Sequence, residues 1–213
     1  MGTFWARSAH AAPALTTLDL PHPLCDDRRI DTAVRSKRVI AIATGMAIVM
    51  IAVFWIFSSG WSLRLTFVPG VVLAYALLLF TVARKAPEPE RILPAYLVAV
   101  AMQMLHFAEE YATGFYEQFP VLFGGAPYAP STFVIFNMCA YFAFVLGAIM
   151  LYQKVREPML IPLFFITYGV IGNAVTHVIF AIMVGGYFPG LYTSLLYWVL
   201  APILLRGLWR GTR

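Results

Sequence analysis

Six stretches of this 213-residue chain are each apolar over about the 20 residues that a helix needs to cross a hydrocarbon core roughly 30 Å thick. They fall at about 39–57, 66–83, 92–114, 131–152, 159–184 and 190–208. The runs are continuous, whereas a transmembrane barrel would alternate polar and apolar residues in segments of about ten. Inside a bilayer no water satisfies a stray backbone group, so helices are what remains. The sequence predicts an all-α, polytopic membrane protein, a bundle of six transmembrane helices over residues 37–213. Residues 1–36, with Pro13, Pro21, Pro23 and the charged patch Asp26-Asp27-Arg28-Arg29, read as a mobile tail. Composition agrees: 12% of residues are charged, against roughly 25% in a soluble domain.

The net charge of +5 does not call for nucleic acid as a partner. Fourteen of the fifteen basic residues lie in the tail, the second and fourth connections and the C-terminal end, and only Arg64 lies in the other three connections. Basic residues mark the cytoplasmic side. Both termini are therefore expected in the cytoplasm, an arrangement that needs an even number of spans. The two cysteines, Cys25 in the tail and Cys139 in a span, do not suggest a disulfide framework.

The third span contains His106-Phe107-Ala108-Glu109-Glu110. Ending that span at Leu105 would leave 14 residues from Ile92, about 21 Å of helix and too short to cross. The acids therefore lie within the membrane. An ionised acid near mid-bilayer costs on the order of 2.5–3.5 kcal/mol on insertion scales, so something must compensate them. His106, Glu109 and Glu110 stand at i, i+3 and i+4 on one helix face, and Gln103 extends it. The fifth span offers Asn173 and His177, again four residues apart. Counted from the inner ends of their spans, His106 and Asn173 each lie about 21 Å up, and Glu110 and His177 about 27 Å. Asn137 on the fourth span and Thr193 on the sixth fall near the same level.

Two imidazoles with carboxylates and an amide suit a divalent transition metal, zinc or iron, as one ion or two. In that reading His106, Glu109, Glu110 and His177 are ligands. Glu110 doubles as general base or bridging ligand, and Asn173 is a supporting or oxyanion donor. Asn137, Tyr187 and Thr193 are candidates to support the site or meet substrate. Each residue alone has a plainer reading: His177 and Asn173 as interhelical hydrogen-bond partners, and the two acids as near-interface groups paired with Arg64.

The string His106-x-x-Glu109-Glu110, followed by Asn173-x-x-x-His177 and Tyr187-x-Pro189-Gly190-x-x-Thr193, resembles the HXXEE-domain family of predicted membrane proteins over about residues 92–205. The resemblance implies an integral membrane enzyme and carries over no substrate or cofactor. CAAX-type intramembrane proteases also pair Glu-Glu with later histidines, but they need Arg four residues after the second Glu, where this chain has Gly114. The sequence thus points to a membrane-embedded, metal-dependent enzyme acting on a hydrophobic, lipid-like small molecule, with membrane lipid around it. The runner-up is a small transporter or binding protein in which the same cluster carries a proton or a metal ion. The third connection, residues 115–130, with Gly124-Gly125 and three prolines, is a candidate lid.

Overall fold

A computed structural model describes residues 24–213, with the backbone alone for 24–33 and 35. The described residues are helical throughout their regular structure. Six helices are long and apolar enough to span a membrane: Ser36–Phe57, Ser62–Phe80, Pro89–Ala112, Pro130–Tyr152, Leu160–Val184 and Leu191–Gly211, here spans 1 to 6. Each lies within a few residues of its sequence-based counterpart. The helix of span 1 begins at Leu24, inside the segment expected as a tail; the rest of that expectation, residues 1–23, lies outside the described residues. Spans 3 and 4 open on Pro89 and Pro130, whose missing N–H falls where a helix has no acceptor for it.

Span 5 is the central helix. Its most apolar stretch is 61% buried, against 17–33% for the other five, and it packs on spans 2, 4 and 6. Span 3 sits between spans 4 and 6, and span 1 rests mainly on span 2. Where helices meet, polar groups join them. Tyr96 donates to the Phe144 carbonyl at 3.0 Å, and Thr167 to the Gly70 carbonyl at 3.0 Å. In lipid such bonds and close packing hold a bundle together, because burial of apolar surface no longer does so. At one end of the bundle Arg156 reaches the carbonyls of Val82 and Ala83 and ties the fourth connection to the end of span 2.

Span 5 is not a uniform α-helix. Phe165–Gly172 is π-helical, and the α-helix resumes at Asn173. Wider turns of this kind change which face the following residues present, and they recur at functional sites. Here the change comes immediately before Asn173 and His177.

The third connection is folded rather than loose. A short helix, Phe115–Leu122, is followed by a segment bonded to the first connection. Trp61 N–H donates to the Phe123 carbonyl at 3.1 Å, Ser59 Oγ to the Ala126 carbonyl at 2.6 Å, and Ser59 N–H to Tyr128 Oη at 2.8 Å. Phe115 stacks near His177, with ring centroids 5.4 Å apart. The connection is thus a roof over the spans, tied at its far end.

Candidate metal centre

Helical rise sets the first part of the site. His106 and Glu110 are one turn apart on span 3, and His177 approaches from span 5. All three are buried, at 0%, 6% and 1% exposure. Both imidazole Nε2 atoms lie 3.4 Å from the same oxygen, Glu110 Oε1, and the rings meet edge to face with centroids 4.6 Å apart.

The partners of Nδ1 decide what those Nε2 atoms can do. His177 Nδ1 lies 2.7 Å from the Pro189 carbonyl, which only accepts, so Nδ1 carries the proton. His106 Nδ1 lies 2.8 Å from Thr193 Oγ1. That hydroxyl spends its one proton on Glu109 Oε2 at 2.5 Å and can only accept from the imidazole. In its neutral form each ring therefore turns an Nε2 lone pair toward a carboxylate oxygen. In that form three electron-rich atoms face one another, an arrangement that could hold a cation. A single proton would serve only one of the two contacts, and His106 Nε2 is buried without a hydrogen-bond partner. Ligands about 2.0–2.1 Å from a tetrahedral ion stand roughly 3.3–3.4 Å apart, the separation of each nitrogen from Glu110 Oε1. His106, Glu110 and His177 can hold a metal ion.

Glu109 does not join them. Its oxygens accept from Tyr187 Oη at 2.8 Å, Tyr192 N–H at 3.0 Å, Thr193 N–H at 2.8 Å and Thr193 Oγ1. Two of these donors are backbone groups at the start of span 6, where a helix has unpaired N–H groups and favours an anion. Glu109 is thus an acid capping another helix, and the carboxylate grouped with the two histidines is that of Glu110. Tyr187 and Thr193 are accounted for by the same contacts.

The stretch Tyr187–Thr193 is a cradle for both histidines. Pro189 takes the proton of one ring and Thr193 that of the other. Gly190 lies between at φ +85°, and a Cβ there would stand 2.5 Å from His177 Cε1 and 2.9 Å from His106 Cε1. Only glycine suits both that backbone and that approach.

With the positions of His106, Glu109, Glu110 and His177 in view, the family follows. The family described as a protein of unknown function with HXXEE motif matches residues 97–205. The chain belongs to this family. No curated protein and no solved structure matches it.

Around the HXXEE centre lies an amide layer. Asn173 Nδ2 donates to the Gly169 carbonyl at 3.1 Å and to Gln103 Oε1 at 3.4 Å, which engages both amide hydrogens. Asn173, expected as a supporting or oxyanion donor, thus already has acceptors for both hydrogens within the fold. Gln103 Oε1 also accepts from Tyr197 Oη at 2.7 Å, and the Gln103 carbonyl from Tyr141 Oη at 2.7 Å. With Oε1 so fixed, Gln103 is left its Nε2 to offer. Tyr197 and Tyr141 were not among the expected site residues, although Tyr197 stands one turn beyond Thr193 and Gln103 one turn before His106. Asn137 donates to its own helix at the Phe133 carbonyl, 2.9 Å away, rather than to the centre. Arg64 pairs with neither acid: its guanidinium lies over the rings of Trp55 and Trp61, at 4.7 and 5.4 Å.

A chamber of about 1000 Å³ reaches this layer from the flank of spans 1 and 4. Gln103, Glu110 and Asn173 are on its wall, as is Asn137. Glu110 thus faces two ways, with Oε1 toward the imidazoles and the carboxylate at the chamber surface.

Proposed function

We propose that this protein is a membrane-embedded metalloenzyme that acts on a hydrophobic, lipid-like substrate. The observation that carries the reading is the convergence of two lone-pair nitrogens, their tautomers set by Pro189 and Thr193, on one buried carboxylate oxygen. Two His and one carboxylate suit zinc or iron(II). Since Glu109 is committed elsewhere, the donor set serves one ion rather than two. Three protein ligands are the number that catalytic sites use, leaving a position for substrate or water. A bound divalent ion would supply Lewis acidity to a carbonyl or to water. The chain's own residues then orient and exchange protons: Gln103 Nε2 as hydrogen-bond donor on the chamber wall, and Glu110 as ligand and proton acceptor. The adjoining apolar chamber favours an enzyme over a transporter, because it gives the centre a substrate-sized space rather than a file of polar groups.

The excess of basic residues on one side supports an orientation with both termini in the cytoplasm, which would put the centre in the outer half of the membrane. Metal analysis of the purified full chain tests the central claim. Wild type should hold about one zinc or iron per chain, and Glu110→Gln should hold none while melting near the wild-type temperature. A metal-free wild type that resists loading would refute it.

A further inference from the structure

We infer that the chamber between spans 1 and 4 is a binding site for a single-chain amphiphile with an uncharged oxygen head, such as a long-chain alcohol, aldehyde or ester, which enters sideways from the bilayer. The inference deepens the proposed function, on which it rests for the fate of the head group though not for binding.

Three observations carry it. Spans 1 and 4 pack on other helices and touch one another little, so the wall between them is not closed by a helix interface. The chamber is lined along span 1 from Ile42 to Phe57. That is about 22 Å of helix, a large part of the roughly 30 Å hydrocarbon thickness. Its volume of about 1000 Å³ stands at the upper end of the 300–1000 Å³ that ligand pockets occupy, and most of its lining is aliphatic or aromatic. This is space for a chain.

The third observation sets the head group. Polar side chains on the wall are amides, hydroxyls, the Cys139 thiol and one carboxylate, Glu110, and among the described residues no Lys or Arg lines it. On the metal-free chain a phosphate or a fatty acid's carboxylate would bring a second negative charge beside Glu110 with no basic side chain on the wall to pair it, in a medium where unpaired charge is costly. A hydroxyl or a carbonyl suits the same wall, with Gln103 to donate to it and the Asn173 carbonyl oxygen or Glu110 to accept. The chain would lie along spans 1 and 4 with its head at Gln103 and Glu110, beside the two histidines.

Gly45 provides the test. It lies on the chamber wall, and a Cβ added there meets nothing within 4 Å. A larger side chain can therefore grow into the chamber from a helix that gains propensity by losing a glycine. The full chain, in phosphatidylcholine nanodiscs, is photolabelled with a diazirine-bearing hexadecanol, and in parallel with the diazirine fatty acid of the same length. The alcohol should label chamber residues such as Met46, Met50, Phe136 and Ala140, and excess hexadecanol should suppress it. Gly45→Phe should lower labelling at least tenfold, and on chelator-treated, metal-free protein the fatty acid should label at least tenfold less than the alcohol. Ala140→Leu, on the facing wall, repeats the test should Gly45→Phe fail to fold. Label spread over outward-facing residues such as Ile48 and Val72 without competition would overturn the inference, as would labelling undiminished by both variants. Equal labelling of that metal-free protein by the fatty acid would overturn the head-group assignment. Zinc and iron are measured on the same samples: metal-loaded protein without competed labelling overturns the chamber alone, whereas competed labelling of a wild type that cannot hold metal upholds the chamber and removes the metal reading.

Discussion

Replacing Thr193 with valine removes one oxygen and leaves the side-chain shape almost unchanged. That oxygen accepts the His106 Nδ1 proton at 2.8 Å and donates to Glu109. Without it the fully buried imidazole has two options. It can keep its proton on Nδ1 with no acceptor, which costs about 1–3 kcal/mol. Or it can shift to the other tautomer and place a proton on Nε2 facing Glu110, which satisfies the proton but removes the lone pair a metal would use. Either route penalises the metal-binding form. Loss of an outer hydrogen bond to a ligating histidine costs roughly 10–100-fold in metal affinity, or about 1.4–2.8 kcal/mol. Thr193→Val should therefore weaken zinc affinity, measured by chelator competition on protein in nanodiscs, by at least tenfold. Thr193→Ser, which keeps the hydroxyl, should stay within a few-fold of wild type. Imidazole nitrogen shifts in labelled protein report the tautomer without reference to metal, and should put the His106 proton on Nδ1 in wild type. A folded Thr193→Val protein with unchanged affinity, or a wild-type His106 protonated on Nε2 alone, would refute the reasoning.

The two adjacent acids should separate cleanly on substitution. Glu109→Gln turns an amide N–H₂ against donors at the start of span 6 and should destabilise the protein by about 0.5–2 kcal/mol, the scale of a lost helix cap, read as a lower melting temperature. Glu110→Gln should melt near wild type yet lose bound metal, and equal melting losses for the two would contradict the division of roles. Gly190→Ala should fail in both respects, since strain at positive φ alone costs about 1–3 kcal/mol and the new Cβ would collide with the His177 ring; wild-type metal content and melting would refute the cradle. Val121→Cys, at an exposed position of the third connection, should react with an impermeant maleimide from the side opposite the termini, and labelling from the terminal side would invert the proposed orientation.

Legibility followed the physics of each quantity. Span count and depth depend on length and rise per residue, so the six spans and the common level of His106, Glu110 and His177 could be worked out by counting. Azimuth could not. Glu109 and Glu110 are about 100° apart around the helix, and which of them meets the histidines depends on the neighbours of span 3. The i+4 spacing of Glu110 from His106, matched by that of His177 from Asn173, was a usable hint. The π-helical turn at Phe165–Gly172 redirects the residues after it, and no pattern in its side chains announces it. The roof was read as a candidate lid from its glycines and prolines; Tyr128 and Ser59 bind it to the first connection, and such a contact between distant loops has no periodic signature. The chamber was invisible for the same reason, because it is set by two spans that do not pack together.

What separates the acids of the HXXEE motif is how each burial is compensated. Glu109 receives four donors, two of them backbone N–H groups that the start of span 6 would otherwise leave unpaired. Its charge costs little because it satisfies groups that the fold must satisfy anyway. Glu110 has no comparable set: its close neighbours across the centre are two nitrogens whose protons have been drawn to the far side of each ring, to Pro189 and Thr193. A fold seeking only stability would have turned those rings to donate to Glu110, or would have placed an apolar residue there at less cost. The Tyr187–Thr193 cradle does the opposite, using Thr193, itself bonded to Glu109, to orient His106 and the Pro189 carbonyl to orient His177. The capped acid thereby helps to set the ring that faces Glu110 in a group that could hold a cation, and this coupling is a reason for the two acids to stand side by side.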